Sequence, residues 1–473
     1  MTTIGRQGGV QSGGGLIVLV PAVGPVTVEK IGGCVDATVT ISIVLHGGVQ
    51  SGGGSIVLVP AIGPVTVEIT GVSGPPVDAT VMMTIGLHGG VQSGGGRIVL
   101  VPAVGPVTVE KIGTSDDATV TTTIVLHGGV QSGGGRIVLV PAVGPVTVEK
   151  TGPSVDAIVI MTIGLHGGVQ SGGGLIVLVP AVGPVTVEKI GGCEDATVII
   201  SIVLHGGVQS GGGRIVLVPA IGPVTVETIG VSGPPVEATV IMTIGLHGGV
   251  QSGGGLIVLV PAVGPVTVEK IGGCVDATVT ISIVLHGGVQ SGGGRIVLVP
   301  AIGPVTVEII GVSGPPVGAM VTISAVLHGG VQSGGGRIVL VPGVGPVTVE
   351  MMGVSGPPVE ATVIMIIGLH GGVQSGGGLI VLVPAVGPVT VEKIGGCVEA
   401  TVTMSIVLHG GVQSGGGRIV LVPAIGPVTV EIIGVSVPPV GATVTMTIVL
   451  HGGVQSGGGR IVLVPGVGPV TVE

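Results

Sequence analysis

Along Thr38-Val-Thr-Ile-Ser-Ile-Val-Leu45 the apolar residues fall at alternate positions. Val39, Ile41, Ile43 and Leu45 share one face, while Thr40, Ser42 and Val44 share the other. A period of two marks a strand, because successive side chains of an extended backbone point to opposite faces. The same pattern precedes every histidine of the chain: His46, His88, His127, His166, His205, His247, His286, His328, His370, His409 and His451. These lie 39 or 42 residues apart, and Gln7 takes the histidine position in an opening copy, which makes about twelve copies in all. A unit of this size buries its apolar face only against its neighbours, so the repeat governs the fold.

One copy reads as three strands. Arg97-Ile-Val-Leu-Val101 is a β-branched run expected to be covered on both faces. Pro102-Ala-Val-Gly105 is expected to form a four-residue turn. Pro106-Val-Thr-Val-Glu110 is the second strand, with Val107 and Val109 inward and Thr108 outward; lacking an N–H, Pro106 belongs at a strand start or edge. A loop follows in a short version (residues 30–34) or a long one carrying Gly-Val-Ser-Gly-Pro-Pro (residues 71–76), which holds the three extra residues. The alternating third strand then leads to His-Gly-Gly-Val-Gln-Ser-Gly-Gly-Gly, read as a flexible connector. The Gly, Pro and β-branched content opposes helix throughout.

The expected fold class is therefore all-β: a tandem-repeat array over residues 1–473 with no separate domains, β-solenoid-like and uncapped. About three short strands are expected in each 39/42-residue repeat. An antiparallel β-meander and a largely disordered low-complexity chain are the alternatives. An odd number of strands per copy would reverse a meander at every repeat, which favours the coil. In-register stacking would place Glu68, Glu110 and Glu149 one strand spacing apart, roughly 4.8 Å, an arrangement tolerable only if the ladder faces water.

Composition narrows the picture. The chain has no aromatic residue and no Asn, so a core must rest on Val, Ile, Leu, Met and Ala. With 100 Gly and 35 Pro in 473 residues it enters the low-complexity range, yet only 8% of residues are charged and the mean hydropathy is +0.95. Such a chain stacks its strands or self-associates, the opposite of solvated disorder. The net charge of −9 is thinly spread and the eight Arg and six Lys never form a run, which argues against nucleic-acid binding. Pro and Gly interrupt every apolar stretch before the roughly 18 residues of a membrane helix. Aromatic girdles of the outer-membrane kind are missing. Residues 1–15 do not read as a signal peptide.

Candidate chemistry is sparse. Cys34, Cys193, Cys274 and Cys397 share one repeat position but stand 159, 81 and 123 residues apart, which stacked repeats would hold beyond disulfide reach. They read as small apolar fillers. The recurring histidine has no second ligand type beside it and reads as an exposed loop residue rather than a metal ligand. Gly-Gly-Val-Gln-Ser-Gly-Gly-Gly lacks the Lys-Ser/Thr of a phosphate loop, and Ser51 and its equivalents lack a base with an orienting acid. No catalytic, cofactor-binding or metal residue is expected, nor any cofactor or small-molecule ligand. Thr-Val-Thr at 38–40, 119–121, 278–280, 401–403 and 443–445 is similar to the threonine faces of some ice-binding solenoids.

Two further resemblances follow. Val341-Pro-Gly-Val-Gly345 and Val464-Pro-Gly-Val-Gly468 resemble the elastin pentapeptide, which implies a type II turn and an elastomeric role. Other copies carry Ala at that Gly, which disfavours such a turn. Gly-Gly-Val-Gln followed by Gly-Gly is similar to repeats of bacterial autotransporter passengers, which implies an adhesive β-helix outside the cell.

Differences between copies are mostly single-base steps (Val/Ile, Arg/Leu, Ala/Gly, Thr/Ile, His/Gln). The chain thus reads first as a conceptual translation of a tandem DNA repeat, a non-enzymatic chain without a specific biochemical function. The rival reading is an extracellular structural or adhesive repeat protein. Either way its expected partner is itself, through β edges.

Overall fold

Each repeat forms five short strands in the computed structural model, and each strand lies parallel to its equivalent one repeat away. In the rung that starts at Ala79 they are β1 (Ala79–His88), β2 (Val91–Ser93), β3 (Gly96–Leu100), β4 (Ala103–Val104) and β5 (Val107–Ile112). The labels β1 to β5 serve for every rung. All five build 12-stranded sheets whose strands follow sequence order, so the fold is a β-solenoid in which each turn sits on the one before. The structure describes residues 2–472 apart from segments between β5 and the next β1 (32–36, 71–78, 113–117, 155–156, 194–195, 231–235, 273–274, 312–316, 354–358, 396–397 and 435–439). The glycine links flanking each β2, from 8–9 and 13–14 to 452–453 and 457–459, are likewise outside the description. The long-loop insertion at 71–76 falls outside the described residues, as do Cys34, Cys274 and Cys397.

Register is like on like. Leu87 pairs with Leu126 and His88 with His127, while Gln7 pairs with His46 as its alignment required. The alternation of β1 is realised as expected: Val81, Met83, Ile85 and Leu87 are buried, and Thr84 between them is half-buried. In β5, Val107 and Val109 are buried and Thr108 is half-buried on the outside, with Pro106 one residue ahead of the strand.

Three expectations are corrected. Val-Gln-Ser inside the supposed flexible connector is a strand, β2, and Ala103-Val104 inside the supposed turn is another, β4. Both are too short to announce themselves locally; their hydrogen-bond partners come from neighbouring rungs. The third correction concerns β3, which is covered on one face only. Ile98 and Leu100 are buried, whereas Val99 is half-buried on the outer side.

The ladder continues through the proline corners. The Val101 N–H donates to the Leu58 carbonyl (2.9 Å), Ala103 to Pro60 (2.9 Å) and Gly105 to Ile62 (2.8 Å). Prolines join only as acceptors: the Pro106 carbonyl takes the Val65 N–H at 2.9 Å. The glycine of each corner is required by close backbone approach. A Cβ on Gly105 would lie 2.8 Å from the Gly63 carbonyl carbon and 2.9 Å from the Pro64 nitrogen. The same holds from Gly63 to Gly468, while a Cβ on Gly24 meets nothing within 4 Å. Two residues earlier the choice is free. Gly343 and Gly466 also have nothing within 4 Å, and other copies carry Ala there. Gly343-Val344 is a β4 strand paired in parallel, so the elastin-like segment does not form a turn of its own.

Two apolar columns run along the array. One packs the first inward positions of β1 against β4 and β5; the other packs the last leucine of β1 against β2 and β3. One rung buries ten apolar side chains: Val81, Met83, Ile85, Leu87, Val91, Ile98, Leu100, Val104, Val107 and Val109. Each contributes up to about 1.5–3 kcal/mol by area, an upper bound set by the extended-chain reference. Much of this cover comes from adjacent rungs. Val428 is 0% exposed and Leu421 3%, against 44% and 51% for Val470 and Leu463 in the last rung.

Thr122 is the single buried polar side chain among the described residues, and its Oγ1 has no hydrogen-bond partner. Its neighbours in register are Met83 and Met161. Replacing Thr122→Met should raise the denaturant midpoint, with a gain of about 1–3 kcal/mol from removing an unsatisfied hydroxyl. Gly222→Ala should instead destabilise by roughly 3 kcal/mol or more, since its Cβ would overlap backbone that cannot give way. Gly24→Ala is the matched control and should leave the midpoint unchanged.

Candidate functional site

Stacking turns each outward residue into a column, and the columns are the surface features on which a function would rest. Ten imidazoles from His88 to His451 stack along one edge, with ring centroids 4.7–5.0 Å apart and planes within 5–14°. Each ends its β1 strand, where the next residues leave the sheet, so the ring stands at the rim and is exposed or half-buried. The side chain of His46 is outside the described residues. Among the described residues no group of three or more His, Cys, Asp or Glu is arranged to hold a metal. Parallel rings present their nitrogens side by side rather than converging on a point.

The glutamines of β2 form a second ladder. The Gln50 Nε2 donates to Gln92 Oε1 at 3.4 Å, and the chain of amide bonds continues through Gln131, Gln170, Gln209 and Gln251 to Gln290 at 3.3–3.5 Å. An amide carries donor and acceptor together, so a column of them satisfies itself. Sequence reasoning missed this because it assigned these residues to a connector. Ser51 and Ser93 pair in register at the backbone, and their side chains lie outside the described residues.

The glutamates that end Val-Thr-Val-Glu do stack as feared, from Glu29 through Glu227 to Glu431. They face water: Glu149, Glu188 and Glu269 are exposed and Glu227 is half-buried. Arginines separated in sequence are brought into register along the backbone. Arg97 pairs with Arg136 and Arg295 with Arg337, although Leu175, Leu256 and Leu379 interrupt the column. The sequence showed these cations as scattered; the register aligns them. Cys193 ends a β5 strand opposite Ser154, its side chain outside the described residues. The threonine face of β1 is interrupted by Met82, Ile158 and Met320, which are 42%, 38% and 49% exposed. No helix among the described residues is long and apolar enough to cross a membrane.

No protein-family model matches the chain, and neither a curated protein nor a solved structure matches it. The site must be read from its own geometry.

Three of these histidines and one of these glutamates have shifted protonation. Desolvation, then repulsion from the flanking rings, holds His166, His247 and His328 below the ordinary imidazole pKa. Partial burial, then Glu269 and Glu188, raises Glu227 above the usual carboxylate value. A lowered imidazole pKa means that the unfolded chain binds protons first, so stability falls as pH drops below about 6.5. For Glu227 the folded state takes up the proton more readily, so its protonation restores stability as pH falls through its raised value. The denaturant midpoint should therefore decline from pH 7 into the pH range below the usual imidazole value. A triple His166→Gln, His247→Gln, His328→Gln variant, which uses the residue found at Gln7, should flatten that decline. An unchanged pH profile in the variant would remove the histidine column as its cause.

Proposed function

We propose that the chain is a structural β-solenoid without catalytic chemistry, which presents repeated polar ladders and associates with copies of itself through its β edges. The observation that carries this reading is how one small set of residues divides between the two faces of β1. Five and six positions before each histidine, the repeats draw on the same three residues, Thr, Ile and Met, which single-base changes interconvert. At the outward position Thr occurs in six of eleven copies; at the inward position it occurs in one, Thr122. Mutation alone would not sort residues by face; the need to bury the inward one does. Apolar side chains exposed on the outer face of β1, Met82, Ile158, Met320 and Ile366, support self-association.

A second reading, translation of a tandem DNA repeat with no selected role, is favoured by the single-base character of most differences between copies. The coding DNA separates the two. Selection for the fold predicts that replacements in the inward codons of β1 stay among apolar residues, alongside synonymous changes, while outward codons exchange polar for apolar freely. Equal rates of polar-for-apolar exchange on both faces would favour the neutral repeat.

Purified chain should give a strong β signal in circular dichroism and form elongated particles or fibrils in electron micrographs. A monodisperse monomer with little β signal would contradict the structural reading.

A further inference from the structure

Between the two apolar columns runs a cavity of about 120 Å³ that no sequence motif announces. Its wall repeats from rung to rung. At one level it is made by Ile283 and Leu285 of β1, Leu298 at the end of β3 and Pro300 at the corner, and the equivalents line it from Ile202 to Leu463. Seven rungs at a strand spacing of roughly 4.8 Å give a channel about 30 Å long. Every lining residue is apolar.

One residue breaks the repetition of the wall. The third residue before each histidine is Ile in ten of eleven copies and Ala325 in the other, and Ala325 lines the middle of the seven levels. Around it the wall loses cover: Pro261, Pro300, Pro342 and Pro384 are half-buried, where Pro141, Pro180 and Pro219 are buried. Leu285, one rung before Ala325, and Leu408, two rungs after, are half-buried as well, while Leu327 on the Ala325 rung stays buried.

We propose that this channel binds a single unbranched hydrocarbon chain, the tail of a fatty acid or similar amphiphile. The site suits water poorly, because a buried water needs two to four polar partners and every lining side chain is apolar. The volume is of the order of the roughly 150 Å³ apolar void that accepts benzene in an engineered cavity. Here it is drawn out over many rungs, which selects a slender, flexible chain over a ring. A volume of the size that accepts a six-carbon ring takes roughly as many methylenes of a chain, so the tail is held over part of the channel's length, and burying those methylenes in an apolar site is favourable. The ligand would add cover to leucines and prolines that the rungs leave part-exposed.

Titration of the full chain with cis-parinaric acid, which fluoresces in apolar surroundings, tests this directly. The expected result is saturable enhancement that palmitate reverses. Ala325→Ile installs the residue of the other copies, so it should fold, raise the denaturant midpoint and weaken parinarate binding at least tenfold. Ala325→Val should fall between. No saturable enhancement with the unmodified chain would overturn the proposal and leave a dry packing defect. Equal affinity in Ala325→Ile would also overturn it, by placing the probe on an outer surface. Either failure leaves the structural reading intact, since that rests on the faces of β1 and not on this channel.

Discussion

Parallel in-register hydrogen bonding places each residue one strand spacing from its own equivalent, and the rest of the structure follows from that contact. For an apolar residue the arrangement is favourable at once, because identical side chains fill identical spaces: Val107 lies on Val146 and Ile98 on Ile137. For a polar residue the outcome depends on chemistry. Glutamine donates to and accepts from itself, imidazole stacks on imidazole, and carboxylates repel and must face water. The same rule requires glycine where successive backbones come closest. Gly105 is held to glycine by Gly63 beneath it, whereas Ala103 two residues earlier exchanges with glycine freely.

Repeats of 39 and 42 residues coexist because the strands are unaffected by the difference. Thr66 pairs with Thr27 across the shorter step and with Thr108 across the longer one, in the same register. The additional residues fall between β5 and the next β1. Loop length there costs little, since closure entropy grows only slowly with the number of residues.

Much of this was legible in the sequence, and particular residues show why. Thr38 to Leu45 revealed a strand, its inward face and the coil because its eight residues alternate cleanly. Val-Gln-Ser and Ala-Val did not, since a strand of two or three residues has no period to read and acquires its partners only after stacking. The glutamine ladder was hidden with β2. The aligned arginines and the channel at Ala325 were hidden for a related reason: both are relations between repeats, and a linear reading separates residues that the register puts side by side. Burial of the glutamate column was the one point on which the coil reading was vulnerable, and exposure of Glu149, Glu188 and Glu269 answers it.

The central claim is the register itself, and cysteine pairing tests it most directly. With the four native cysteines replaced by serine, Thr225→Cys and Thr267→Cys lie opposite each other in adjacent β5 strands. Neighbouring strands stand about 4.8 Å apart, within the usual Cα range for a disulfide. The account predicts rapid intramolecular cross-linking of this pair under mild oxidation and none between cysteines at 225 and 306, two rungs apart. A 225–267 pair that stays reduced in folded monomer, or that links no faster than the 225–306 pair, would contradict it.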